Sequence, residues 1–304
     1  MQRADVDAAS STARQGIAFG VAAYLMWGLF PLYWPLLKPL GSLEILSHRI
    51  VWSLVVMVVW LAALKKLTWV RSVPRVKLAW LTLAAVLVSF NWVLYIWAVN
   101  AGHVVETSLG YFINPLMSVL LGVLVLGEKL RRLQWWAMGL ATIAVLVLSV
   151  DYGRPPWIAL GLAPSFALYG LVKKRAGVGA VESLSFETAV LFLPAFAYLG
   201  WLELRGEGGF GHVDALKNGL LVGAGVATAL PLVCFGAAAN RVPLSTVGVL
   251  QYIAPSIQFV CGLLVFHEAM SPGRWLGFGI IWAALVMFAG EGLWVARRRV
   301  VVTT

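Results

Sequence analysis

The stretch "EILSHRIVWSLVVMVVWLAAL", residues 44–64, has the length of a membrane span and carries a histidine and an arginine, His48 and Arg49, near its start. After Arg49 no charged residue follows until Lys65, and about 20 apolar residues in a helix cross a bilayer. A cation inside such a stretch is costly and usually faces a cavity or a partner. The segment therefore predicts a transmembrane helix in which His48 and Arg49 are candidate functional residues.

The composition extends this prediction to the whole chain. Of 304 residues, 61% are hydrophobic and 12% are charged, whereas about a quarter of the residues in a soluble domain are charged. The net charge of +10 is explained better by membrane topology than by nucleic-acid binding. Cys234 and Cys261 fall in apolar segments and give no disulfide or metal spacing. No phosphate-binding loop, zinc motif or nucleophile elbow is present, so we expect no catalytic residues, no metal and no cofactor.

Charge clusters, prolines and glycines divide the chain into apolar segments of membrane-spanning length. The predicted fold class is an all-α integral membrane protein with ten transmembrane helices. The spans are placed at 16–37, 44–64, 77–99, 103–126, 133–150, 156–173, 182–202, 217–240, 244–266 and 274–295.

The basic residues predict the orientation of these spans. Cytoplasmic connections carry an excess of Lys and Arg, and 17 of the 23 basic residues fall at the two termini and in every second connection. Both termini are therefore predicted to be cytoplasmic, in the cytoplasmic membrane of a bacterium. Small-residue spacings at Gly16–Gly20, Gly219–Gly223 and Gly273–Gly277 suit packing within a monomer or between two copies, which leaves the oligomeric state open.

An internal repeat relates the two halves of the chain at an offset of 140 residues. Five spans per half is an odd number, so equivalent spans run in opposite directions, as in the inverted repeats of many secondary transporters. The predicted units are a tail at 1–15, a first five-helix repeat at 16–150, a second at 156–297 and a tail at 298–304. The matching residues are Asn100, Ile113, Pro115, Gly122, Glu128, Trp135, Gly139 and Ala144 with Asn240, Ile253, Pro255, Gly262, Glu268, Trp275, Gly279 and Ala284.

Two charges lie at similar depth in this arrangement. Arg49 is about 7 Å from the outer end of the second span at 1.5 Å per residue, and Glu106 is about one turn into the fourth. We expect His48, Arg49 and Glu106 to form a paired cluster beside a central cavity. The alternatives are that Arg49 reaches the headgroups near Glu44, or that its pair with Glu106 is purely structural.

Other polar residues within the spans are candidates for a transport pathway. The fourth span carries a polar and small-residue stripe that either lines a pathway or packs against a helix, and Tyr111 flanks it. Pro115 and Pro255 are predicted to kink their helices. The stripe is Glu106, Gly110, Asn114, Ser118 and Gly122; the other candidates are Asn91 and Tyr95 in the third span, and Ser245, Gly248, Gln251, Tyr252 and Gln258 in the ninth.

Three further carboxylates need an assignment. Glu187 has no obvious basic partner within the seventh span, so Glu187 and Glu106 are candidates for proton coupling. A position of Glu187 at the lipid surface is the alternative. Glu128 and Glu268 each end a span, where we expect them to cap helices or to pair with loop cations.

The sequence resembles the RarD family of EamA-type transporters, in the drug/metabolite transporter superfamily. The resemblance implies ten helices in two inverted EamA repeats, an inner-membrane location and alternating access without ATP. It assigns no roles to individual residues. The motifs that carry it are "SHRIVWS" (47–53), "NWVLYIWAVN" (91–100), "ETSLGYFINPL" (106–116), "GLAPSFALYGLVKK" (161–174) and "LQYIAPS" (250–256).

Together these features predict a secondary transporter that moves, and most simply exports, a small organic metabolite or drug-like solute. Its partners are then the solute and the lipid bilayer, and we expect no nucleic acid. An uptake carrier or facilitator of the same fold is the alternative. An intramembrane enzyme would need an acid–base pair such as His48 and Glu106, and a non-transporting adaptor would not need an inverted repeat.

Overall fold

The computed structural model describes residues 2–126, 132–239, 241–242 and 250–302. Every regular element in these ranges is helical. The α-helices are α1 (Gln2–Gly28), α2 (Phe30–Tyr33), α3 (Ser42–Ala63), α4 (Arg75–Asn100), α5 (Val104–Leu126), α6 (Arg132–Asp151), α7 (Trp157–Ala176), α8 (Ala180–Leu204), α9 (Ala215–Ala239), α10 (Ile253–Leu264) and α11 (Pro272–Val302). Single 3-10 turns lie at Trp34–Leu37 and Trp69–Ser72.

The length and composition of these helices suit a membrane protein. Among the described residues, five helical stretches are long and apolar enough to cross a bilayer. Shorter apolar helices lie at Trp135–Asp151, Trp157–Lys173, Ile253–Leu264 and Pro272–Met287. The five longer stretches are Thr12–Leu37, Ser42–Ala63, Arg75–Asn100, Val181–Leu204 and Ala215–Phe235.

The helices are apolar on their outer surfaces as well as inside. Val59, Val86 and Leu193 are each more than half exposed within helices that otherwise have buried faces. A helix that is hydrophobic all round is typical of a membrane span, because its outer face contacts lipid chains rather than water. The exceptions to this all-round apolar surface are therefore the polar residues that point inward.

Helix packing brings elements from the two ends of the sequence together. α3 packs against α8 and α9, α4 against α7 and α8, and α6 against α11. α1 contacts α9 and α10, while α5 contacts α7 and α10. One buried apolar cluster centres on α3, α4, α7 and α9, and a second on α5, α6 and α11.

Glycines allow the closest helix crossings. A Cβ atom at Gly225 of α9 would lie 2.5 Å from the backbone carbon of Trp52 in α3. At Gly110 of α5 it would lie 3.1 Å from the Cα atom of Ala159 in α7. Gly16 and Gly20 approach side chains of the same chain in the same way, so this small-residue pair packs within the monomer.

The predicted spans agree with the observed helices for most of the chain, and the main difference concerns α10. Leu250 has helical geometry, Gln251 and Tyr252 form a turn, and α10 begins at Ile253. Pro255 is thus the third residue of α10, and the turn includes Gln251, whose carbonyl a proline at position 255 cannot pair in a continuous helix. Pro115 does lie inside α5. The candidates Ser245 and Gly248, and the repeat residues Glu128 and Asn240, lie outside the described residues.

Candidate functional site

The Arg49 side chain lies in the interior of the bundle. The residue is 3% exposed, and its Nε donates a hydrogen bond to Thr228 Oγ1 of α9 at 2.6 Å. Three aromatic rings surround the guanidinium carbon, with centroids at 4.0 Å for Trp92, 5.2 Å for Trp34 and 5.7 Å for Phe30. Cation–π contacts of this kind offset part of the cost of burying the charge. Arg49 therefore does not reach toward lipid headgroups.

The predicted ion pair between Arg49 and Glu106 does not form. Glu106 Oε2 lies 3.1 Å from Arg154 Nη2, and Glu106 Oε1 accepts a hydrogen bond from the backbone N–H of Ile158 at 3.0 Å. The reason lies in the helix packing: α5 runs beside α7, whereas α3 packs against α4, α8 and α9. Matching depth in two spans does not make their side chains neighbours.

His48 also lies apart from the expected cluster. Its ring centroid lies 5.1 Å from that of Phe210, in the connection after α8, and the two rings are tilted by 34°. The nearby Glu44 carboxylate accepts the backbone N–H of Gly209 in the same connection at 2.7 Å. Successive residues of a helix point about 100° apart, so His48 contacts this connection while Arg49 faces the interior.

A second polar group joins α4, α5 and α7. Asn91 is fully buried, and its Nδ2 donates to Leu162 O at 3.0 Å and to Ser165 Oγ at 2.9 Å. Its Oδ1 accepts a hydrogen bond from the Tyr111 hydroxyl at 3.1 Å. The ring of Tyr95 lies 5.6 Å from that of Tyr111 in an edge-on contact. Asn91 is thus occupied by protein groups, and it fixes the orientation of Tyr111.

In the part of the chain that the structure describes, several buried polar atoms of the bundle have no hydrogen-bond partner. They include the hydroxyls of Tyr95 and Tyr252 and the side-chain oxygens of Asn114 and Gln258. Buried polar atoms are normally paired, and each exception needs an explanation. A transported solute is one such explanation, because these atoms are contributed by three of the helices that the sequence identified as pathway candidates.

Two further predicted residues of the ninth span lie in different elements. Gln251 is half-buried in the turn before α10. The Gln258 Nε2 donates to the Trp27 carbonyl at 3.2 Å, which ties α10 to α1.

Trp34, Trp92 and Thr228 were missed by the sequence analysis, because aromatic residues and threonine are common in ordinary span interiors.

Glu187 has the basic partner that the sequence did not reveal. Lys173 Nζ of α7 lies 3.1 Å from Glu187 Oε1. Ser183 Oγ donates to the same carboxylate at 2.6 Å and the Tyr169 hydroxyl donates at 3.1 Å. Glu187 is 1% exposed, so both the absence of a partner and the alternative of a lipid-surface position are wrong.

Glu268 caps a helix, as predicted for a carboxylate at a span end. Its two oxygens accept the backbone N–H groups of Val104 and Val105, the first residues of α5, at 2.5 and 3.1 Å. An acid at this position accepts hydrogen bonds from backbone N–H groups that have no partner within the helix, and its charge complements the helix dipole. In the described ranges, no group of three His, Cys, Asp or Glu side chains is arranged to hold a metal ion.

Comparison with known proteins assigns the class. A family profile described as "EamA-like transporter family" matches residues 14–150. The protein named "Protein RarD" from Streptomyces exfoliatus is 57% identical, with 95% of this chain and 93% of that protein covered. The "Uncharacterized transporter YojE" of Bacillus subtilis (strain 168) is 46% identical, with 90% and 93% covered.

A solved structure shares the fold. A crystal structure described only as "Crystal structure of protein" superposes with a TM-score of 0.57 at 17% identity, covering 90% of this chain and 96% of the other. The fold and the relatives define a multi-pass membrane transporter. The chain belongs to the RarD family of EamA-type transporters.

Proposed function

We propose that the protein is a secondary transporter of a small organic solute in the cytoplasmic membrane of a bacterium. Its ten spans form two inverted five-helix halves, the second of them an EamA repeat like the first, and both termini are cytoplasmic. Transport proceeds by alternating access. Family membership supports the transporter class, and the bias of basic residues supports the orientation.

Helix packing supports the repeat independently of the sequence offset. In the two halves, α1, α3, α4, α5 and α6 are equivalent to α7, α8, α9, α10 and α11. Exchanging the halves therefore converts the pair α4–α7 into α9–α1, the pair α5–α7 into α10–α1, and the pair α4–α8 into α9–α3. All six pairs are packed. The pairs α3–α8, α5–α10 and α6–α11 convert into themselves and are also packed. A pseudo-two-fold axis between the halves produces this pattern, and such repeats move against each other in secondary transporters.

The observation that carries the proposal is the surroundings of Arg49. An intramembrane cation marks a functional site by default, and this one lies among three aromatic rings. Among the described residues, buried hydroxyl and amide atoms of α4, α5, α10 and the turn before α10 also lack hydrogen-bond partners. Binding sites for small molecules combine apolar walls with a few polar groups in this way. The pathway residues are Arg49, Tyr95, Tyr111, Asn114, Gln251 and Tyr252, with Asn91 supporting Tyr111 and His48 at the edge.

Export is the proposed direction, with uptake by the same fold as the alternative. Proton coupling through Glu187 or Glu106 is part of the proposal. Both carboxylates are buried and each is held by a single cation, Lys173 or Arg154. Protonation of either carboxylate releases its Lys or Arg partner. Breaking the ion pair in this way is a means of coupling a proton to helix movement.

Flux measurements in proteoliposomes test the proposal. Small metabolites and drug-like solutes are screened with and without a pH gradient, beside protein-free vesicles. We expect saturable, protein-dependent flux that the gradient accelerates in one direction. Glu187→Gln or Glu106→Gln should remove the effect of the gradient without removing counterflow. Absence of saturable flux for every solute would contradict a transport function.

A further inference from the structure

We propose that the transported solute carries a carboxylate or a similar anionic group that pairs with the Arg49 guanidinium. The inference rests on the proposed function and specifies the solute class of the same site. It assigns to Arg49 the role of anion-recognising residue, with the indole and phenyl rings around it contacting the body of the solute.

The first argument is charge balance. Arg49 is buried, and in the part of the chain that the structure describes it forms no ion pair: the seven ion pairs found there involve other cations. Removing a lone cation from water is costly, and aromatic contacts offset only part of that cost. The site therefore lacks a negative charge that a solute can supply.

The second argument is the hydrogen-bonding capacity of the guanidinium. An arginine side chain has five N–H donors, and two parallel donors match a carboxylate. Only Nε is used among the described residues, in its bond to Thr228. No described residue is bonded to the terminal nitrogens, which can act as a pair. Rings on α2, α4 and the adjoining 3-10 turn limit the directions from which a planar group can approach.

The third argument comes from buried polar side chains other than Arg49. Among the described residues, the buried Tyr95 hydroxyl has no hydrogen-bond partner. Tyr95 lies about one turn along α4 from Trp92, whose ring contacts the guanidinium, and its own ring lies 5.6 Å from that of Tyr111. A free phenol O–H can donate to an anion. The unpartnered oxygens of Asn114 and Gln258 can accept a hydrogen bond from an N–H or O–H elsewhere on the same solute.

Matched pairs of ligands test the inference on the purified full-length protein. Arylacetates, short alkyl carboxylates and amino acids are each compared with their primary amides at neutral pH. Binding is followed by tryptophan fluorescence, to which Trp34 and Trp92 contribute. For the acids that bind, we expect affinity about tenfold or more above that of the amide, the value of one charge-assisted hydrogen-bonded contact.

Variants locate the preference. Arg49→Gln should abolish the difference between acid and amide. Arg49→Lys keeps the charge but loses the paired donors, so it should retain a reduced preference. Arg241→Gln is the matched control, because Arg241 is exposed and donates to the Ala237 carbonyl, and it should behave as wild type. If Arg49→Gln does not fold, the Lys variant and the wild-type ligand pairs decide.

Each outcome separates the inference from the proposed function. Equal affinity for acids and amides, binding of no carboxylate, or a preference that survives Arg49→Gln would overturn the inference. Saturable flux of uncharged solutes only would overturn it while leaving a transporter. Carboxylate binding that depends on Arg49, with no saturable flux of any solute, would support anion recognition by Arg49 and contradict the proposed transport function.

Discussion

At the scale of single residues, the charges buried in the bundle are of two kinds. Glu106 and Glu187 each contact a cation and additional hydrogen-bond donors, so their charges are balanced within the protein. Arg49 contacts a hydroxyl and aromatic rings. Removing one partner of a balanced pair leaves a buried charge uncompensated, whereas an unbalanced charge is available to a ligand.

The Glu187 pair gives the first prediction. Lys173→Met leaves a buried carboxylate without its cation, and we expect a loss of about 3–5 kcal/mol in stability. Adding Glu187→Gln to this variant should recover much of that loss. Thermal unfolding of the purified variants measures both effects, and a double variant no more stable than Lys173→Met would contradict the role assigned to the pair.

The exposed pair of Lys66 and Glu182 serves as the control. Its atoms are 2.9 Å apart, but the Lys66 side chain is 56% exposed. Exposed pairs contribute about 0–1 kcal/mol. Lys66→Met should therefore change the unfolding temperature far less than Lys173→Met.

Glu268 gives a prediction about pH. Burial raises the pKa of its carboxyl above the ordinary value, more than the two backbone N–H bonds and Arg274 lower it. The folded protein therefore binds this proton more tightly than the unfolded chain does. Stability from this residue is fully present below the unfolded-state pKa and is lost as pH rises through the folded-state pKa.

Glu268→Gln removes this titration, so its unfolding temperature should improve relative to wild type as pH rises from about 4 to 7, across the glutamate range. Unfolding curves at both pH values measure the change. The control is Glu207→Gln, a half-exposed carboxylate beside Arg205. An unfolding temperature of Glu268→Gln that falls relative to wild type as pH rises, or a change that Glu207→Gln reproduces, would refute the assignment.

Sequence reasoning located the interior charges but not their partners. The burial of Arg49 follows from a lone cation in an apolar run, and the cap by Glu268 follows from its place at a span end. The contacts Glu106–Arg154 and Glu187–Lys173 depend on which helices are neighbours, and periodicity within one helix carries no information about that.

At the scale of elements, the crossing of α3 and α9 sets the position of the site. The contact between Gly225 and the Trp52 backbone brings Thr228, three residues further along α9, within reach of Arg49. A side chain at residue 225 would therefore separate the helices and disturb the hydrogen bond that orients the guanidinium.

Gly225→Ala should lower stability by about 1–3 kcal/mol, as overpacking does, and should weaken solute binding. Gly219→Ala is the matched control on the same helix, because a Cβ there meets nothing within 4 Å. It should be neutral or stabilising by up to about 1 kcal/mol, since alanine favours a helix over glycine. Equal effects of the two substitutions would disprove the close crossing.

Helix limits could be predicted where charges and turns delimit an apolar run, as for α4, α5 and α9. The exact limits of the break at Gln251 and Tyr252 could not, because neither residue is a helix breaker, and Pro255 predicts a bend in the preceding turn without specifying which residues leave the helix.

At the scale of the whole molecule, the proposed orientation is testable with reporters. A fluorescent protein fused after Thr304 should fold in the cytoplasm, and alkaline phosphatase inserted at Gly211 should be active outside, since 205–214 is predicted to be an outer connection. Reversed activities would contradict both the positive-inside assignment and the order of the halves.

The repeat and the charge bias were both visible in the sequence, because a fixed offset and the composition of the loops can be recognised without knowing which helices pack together. The interior site was visible only in part. Its polar members stand out in apolar spans, but Trp34 and Trp92 are indistinguishable in sequence from the many tryptophans expected at membrane interfaces.

Thiol accessibility tests the central claim most directly, namely that the buried polar groups line a pathway. In a background with Cys234→Ala and Cys261→Ala, Asn114→Cys is compared with Leu124→Cys, a residue of the same helix that is 71% exposed on the outer surface. The account predicts that a small water-soluble thiol reagent modifies the cysteine at position 114, inhibits flux and is excluded by transported solute, while position 124 stays unreactive in lipid. An inert cysteine at position 114 in a protein that still transports would contradict it.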